Sequence, residues 1–290
     1  MASSSKVFQV LFLVAFAVLG CSGAAPQPEA VAVIESSAEF GYTMYDALLN
    51  EHVDDEGMVD YAALKADRET LDQFIASLGA VSVAELKSWS TEAQLAFWIN
   101  AYNAITLKYI VDNYPIQKGG LISRALYPAN SIRQIPGVWD KLQTPVAGAP
   151  ITLDAIEHEV LRKEFAEPRI HMAIVCASIG CPPLRNEPFV AERLEDQLDE
   201  QSRHFLAHPD RFRIDRPSRI VYLSPILDWF GEDFVPVYEP SETLTSGYDS
   251  KTAAVLEFVS RYVESAEARL VQSGEYTVKF TDYDWSLNEQ

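Results

Sequence analysis

The sequence is poor in basic residues, in cysteine and in long apolar runs. Against 42 Asp and Glu stand only 23 Lys and Arg, a net charge of −19 over 290 residues. A surface that tracks phosphates needs clustered Lys and Arg, so nucleic acid is excluded as a partner and adhesion to anionic headgroups is disfavoured. An acidic excess of this kind serves solubility. Only three cysteines are present, Cys21, Cys176 and Cys181. Two cysteines without a second close-spaced pair make half a zinc motif at most, so no metal site is expected, and no cofactor is implied. Beyond Leu19 no apolar stretch approaches the ~20 residues that span a bilayer as a helix.

What is present begins with a positive charge at Lys6 and an apolar run over 7–19 broken only by Gln9, followed by Val18-Leu19-Gly20-Cys21. The run is too short for a membrane span and has the pattern of a cleavable secretory segment. Its ending resembles the lipobox of bacterial lipoproteins. The expectation is a signal peptide over 1–20, lipid on Cys21, a Pro-containing tether over 21–38 and one globular domain over 39–290. The alternative is an ordinary signal peptide cut near Ala24 or Ala25. A lipid on Cys21 predicts an envelope lipoprotein facing the periplasm, anchored to a membrane by lipid alone. Ser22 favours the outer over the inner membrane.

Helices are predicted over 40–52, 61–66 and 68–78, with a capping box at Ser82-x-x-Glu85. A second box, Thr91-x-x-Gln94, opens a helix that runs to Tyr114 and is stopped by Pro115. Its apolar residues cover most of the circumference, leaving a strip of Gln94, Lys108 and Asp112 for water. This predicts a central, buried helix, with Trp98, Tyr102 and Ile105 in the core. Asn100 and Asn103 fall inside its apolar face and must find hydrogen-bond partners. Residues 121–137 read as irregular, 143–151 as a short hairpin, and 152–165 as a helix capped by Thr152. The run 169–175 reads as a buried strand, 176–185 as a loop and 189–206 as an amphipathic helix. Strands follow at 211–215 and 219–223, then a short helix from Pro225, a helix over 250–271 and a closing strand over 276–281. The class is α+β, helix-rich, around a central buried helix with a small, largely antiparallel sheet.

Chemistry concentrates at 171–184, HMAIVCASIGCPPL. Cys176 leaves an apolar run and enters a Gly/Pro loop, a placement suited to a nucleophile whose thiol is activated by a base or by oriented N–H groups. Equally, a turn at Ser178-Ile179-Gly180 brings Cys176 and Cys181 within bridging range, giving a structural or redox disulfide. On a strand, His171 and Cys176 point to opposite faces, roughly 17 Å apart. His158, on the helix before, is then the better base. Glu157 sits deeper in that helix and needs a partner, for which Arg133 is the first candidate. Asn100 or Asn103 serve as orienting groups or as loop braces.

The blocks Phe97–Ala104, Ile156-Glu157-His158, Pro168–His171, Cys176–Leu184 and Tyr283–Asn288 together resemble the domain of unknown function 547 family over about residues 40–288. The resemblance implies no assigned reaction. Fusions of relatives to glutaredoxin-like domains associate it with thiol chemistry. Gly180 stands where the family pattern leads one to expect Ser. Three functions remain open at this point. One is a thiol-dependent hydrolase or transferase using Cys176 with His158, and Glu157, Asn100 or Asn103 in support. The others are a lipoprotein that binds an unknown substrate or protein partner with a structural Cys176–Cys181 bridge, and a dithiol redox protein.

Overall fold

The structure, a computed structural model, describes residues 40–117 and 119–290. The expected signal segment, Cys21 and the tether lie outside the described residues. Among the described residues no helix is long and apolar enough to cross a membrane.

The central helix is Thr91–Asn113, and seventeen of its residues, Ala93 to Val111, are buried. Trp98, Tyr102 and Ile105 are 8%, 2% and 1% exposed, as the nearly continuous apolar circumference requires. Its cap lies one residue earlier than the sequence suggests: the Ser90 hydroxyl accepts from the Ala93 N–H. Gln94 instead donates to the Trp89 carbonyl. The Ser82–Glu85 box forms as expected. Around the central helix pack Thr43–His52, Tyr61–Ala66 and Glu69–Ala80, their buried aromatic and Leu faces closing one hydrophobic cluster.

A second cluster forms between Leu194–Ala207, Ser250–Tyr262 and a three-stranded sheet. In that sheet Phe212–Asp215 pairs antiparallel with Ile220–Leu223, which pairs in parallel with Thr277–Phe280. A separate hairpin, Thr144–Val146 with Ala149–Ile151, turns through Ala147 and Gly148, both at positive φ, the geometry of tight two-residue hairpins. The architecture is a helix-rich α+β domain.

Three segments depart from the sequence reading. The stretch read as irregular contains a helix, Leu121–Leu126. The helix read over 250–271 breaks at Val263-Glu264 into Ser250–Tyr262 and Ser265–Gln272. Most consequential, the run read as a strand is a helical turn, Ile170–Ala173, opened by the Glu167 carboxylate accepting from the Arg169 N–H. Its β-branched residues suit a short buried strand and a buried turn alike; Pro168, whose carbonyl accepts from the His171 N–H, decides for the turn.

Candidate functional site

The two hydrophobic clusters meet at a cleft of about 310 Å³ whose wall includes Glu157, His158, His171, Cys176 and Cys181. Tyr283 packs against both clusters and lines the same cleft. Another cleft, of about 390 Å³, opens between Phe40–Asp46 and Glu187–Arg193. It has no histidine, cysteine or tryptophan, and a further cleft of about 390 Å³ holds Cys181, His204 and His208 but not Cys176, so it is the presence of both cysteines that singles out the first.

Cys176 reaches the cleft because the central helix grips the chain just before it. Asn103 donates to the Ala173 carbonyl (3.0 Å) and accepts from the Val175 N–H (2.9 Å). Asn100 does the same at Phe189, at 2.7 and 3.0 Å. Each buried amide takes the place of a strand neighbour for an extended segment. Neither is a hydrogen-bond partner of a cysteine sulfur in the structure.

Cys176 and Cys181 form a disulfide, with Cα atoms 6.2 Å apart. The turn at Ser178–Gly180 permits it, the Cys181 N–H bonding the Ser178 carbonyl at 3.0 Å. The C-terminal segment lies across this loop: the Ile179 N–H donates to Ser286 and the Gly180 N–H to Asp284, both at 2.9 Å. A Cβ on Gly180 would stand 3.0 Å from the Asp284 backbone N and O and from the Tyr283 ring. This close approach is a physical reason for glycine where the family pattern suggested Ser.

The sulfur environment is polar on one side. Tyr283 Oη lies 3.1 Å from Cys176 Sγ and 3.0 Å from Cys181 Sγ, and Ser178 Oγ lies 3.3 and 3.5 Å from them. The Cys176 N–H donates to Cys181 Sγ at 3.0 Å. Burial pushes the Tyr283 phenol up, so it stays protonated and able to donate.

The histidines are engaged elsewhere. His158 Nδ1 accepts from Arg162 Nη1 at 3.0 Å, because a guanidinium can only donate. In the neutral ring this leaves Nε2 as an N–H, with no free lone pair for a thiol proton. The expected Cys176–His158 pairing finds no hydrogen bond in the structure. His171 was expected to face away from Cys176; the helical turn instead brings both to the one cleft. Its Nε2–H donates to Asp233 Oδ2 at 2.8 Å while its ring stacks on Phe230. Burial lowers the His171 imidazole more than Asp233 raises it. Burial also raises the Asp233 carboxyl, but hydrogen bonds from Arg162 and His171 outweigh this and hold it well below the usual range.

Arg133 is not the partner of Glu157. Its guanidinium lies over the rings of Trp285, Tyr127 and Trp139, at 4.5, 4.7 and 5.1 Å, a cation–π arrangement. Its Nε is buried with no hydrogen-bond partner. Glu157, 8% exposed, accepts from the Tyr102 hydroxyl at 3.3 Å.

Sequence reasoning passed over Asp233, Arg162, Trp139 and Trp229, which carry no motif. Tyr283 and Trp285 were signalled only by the C-terminal block. Among the described residues no group of three or more His, Cys, Asp or Glu is arranged to hold a metal ion.

No curated protein and no solved structure matches the chain. A family model does match, over less than half of the chain but across the segment that carries the central helix, Glu157, His158 and both cysteines of the cleft. Over residues 86–206 the chain matches the model of the family described as protein of unknown function, DUF547.

Proposed function

We propose that this is a thiol–disulfide protein in which Cys176 and Cys181 cycle between bridge and dithiol at the wall of the cleft. The observation that carries the reading is where the bridge sits and how little it staples. It joins residues five apart, so loop-closure entropy assigns it only about 2 kcal/mol. The loop it closes is already fastened by the bonds from Ile179 and Gly180 to the C-terminal segment. Yet it lines an aromatic cleft, with Cys176 only partly buried. A bridge that contributes little to holding the fold and faces a ligand-sized space is suited to exchange.

A hydrolase or transferase with Cys176 as nucleophile needs the reduced form and a base with a free lone pair. His158, committed to Arg162, supports that less well. Exchange calls for a compartment with a thiol–disulfide poise. Lipid attachment at Cys21 in a bacterial envelope would supply one. An acyl mass increment on the mature protein tests that placement, and a soluble form beginning at Ala25 would remove it.

The redox reading is tested by equilibrating the full chain in thiol–disulfide buffers while following Trp fluorescence, since Trp229 and Trp285 border the bridge. Reversible opening under native conditions supports it. Opening only at the rate of global unfolding refutes it.

A further inference from the structure

This inference rests on that reading and gives the exchange a direction. We propose that a small organic thiolate attacks Cys176 Sγ and that Cys181 Sγ is the leaving group, received by the Cys176 N–H and the Tyr283 hydroxyl.

Access distinguishes the two sulfurs first. Cys181 is 3% exposed, whereas Cys176 is partly open. The cleft of about 310 Å³ lies at the small end of ligand pockets, fit for a small molecule rather than a folded partner. Polarity distinguishes them second. The Tyr283 and Ser178 hydroxyls rotate and serve either sulfur, but the Cys176 N–H is fixed and is directed at Cys181 Sγ. Among the described residues no backbone N–H bonds to Cys176 Sγ. Oriented N–H and O–H donors favour the thiolate over the thiol, and a better-stabilised thiolate leaves faster. Tyr283 gives a hydrogen bond and keeps its proton, because burial holds the phenol in its neutral form.

The step balances. The incoming thiolate forms a bond to Cys176 Sγ, the Cys176–Cys181 bond breaks, and its electron pair goes to Cys181 as thiolate. A second small thiolate attacks the outer sulfur of the mixed disulfide, releasing an organic disulfide. Cys176 leaves as thiolate and takes a proton from water. Two thiols are oxidised and one protein bridge is reduced. Run backwards, the dithiol reduces an organic disulfide through the same intermediate.

The test uses the oxidised full chain and limiting 2-mercaptoethanol, with iodoacetamide added to trap the free thiolate. The tryptic peptide 170–185 carries both cysteines, so fragmentation assigns each label. The expected product has mercaptoethanol on Cys176 and carbamidomethyl on Cys181. The inverse product, or equal amounts of both, overturns the direction while leaving the redox reading intact. Labelling only at the rate of global unfolding defeats the redox reading, and the direction with it. Tyr283→Phe, which keeps the ring, should slow opening about tenfold, the loss of roughly one hydrogen bond to a charged sulfur. It should also raise the pH at which Cys181 alkylates in the reduced protein. An unchanged rate together with an unchanged alkylation profile overturns the role given to the hydroxyl.

Discussion

At Ala177, between the first cysteine and the turn, the backbone enters the left-handed region with φ 54, where a Cβ is disfavoured. The conformation is held because Ala177 is 1% exposed and its carbonyl receives the Asn288 N–H. Strain of this kind persists where surroundings over-determine it, often beside functional groups. His171 is the other residue whose state matters. Its imidazole is pushed down by burial, while in the unfolded chain it titrates near its ordinary value of about 6.5. The unfolded chain therefore binds more protons just below that value, so the stability is full above about pH 6.5 and falls as pH drops towards the lowered folded value. His204 is shifted the same way, also by burial. Thermal melts of the parent and of His171→Gln separate the two contributions. The parent should lose more melting temperature than the variant between pH 7.5 and pH 5, and parallel curves would show that His171 adds nothing. Asp233 acts in a separate, more acidic window, its contribution lost only well below pH 4, because its folded carboxyl is held low.

At the scale of elements, the central helix was legible because its apolar circumference and its stop at Pro115 are both local. The hairpin was legible from its turn, and the sheet strands from their flanks. The turn Ile170–Ala173 was not, since a short apolar run carries no period long enough to separate strand from helix. That misreading alone turned His171 away from the cleft. The helix carrying Glu157 and His158 was found, but its π-helical stretch Ile156–Leu161 was not; such turns occur frequently at functional sites. The C-terminal segment is the element whose fit is most exposed to test. Gly180→Ser places a Cβ against the Asp284 backbone, which can give only by moving the C-terminal segment. The variant should lose about 1–3 kcal/mol, the usual cost of overpacking, and its bridge should be reduced faster than the parent's. Denaturant midpoints and reduction rates measure both. Parent-like values on each would mean that the C-terminal segment does not hold the loop.

For the whole molecule, the buried helix bounded the fold, and the cysteine pair marked the site. The rest of the cleft was not legible, because Arg133, Trp229 and Tyr283 arrive from segments far apart in sequence. Their meeting depends on how the two hydrophobic clusters abut, which no local pattern encodes. The central claim is that the bridge serves exchange and contributes little to the fold. The melting temperatures of the oxidised and the fully reduced full chain test it most directly. A contribution of about 2 kcal/mol from a short loop corresponds to a fall of about 4–8 °C in a domain of this size. The account predicts a reduced form that still unfolds cooperatively and melts within that range of the oxidised one. A chain that loses its fold once the Cys176–Cys181 bridge is reduced would contradict it.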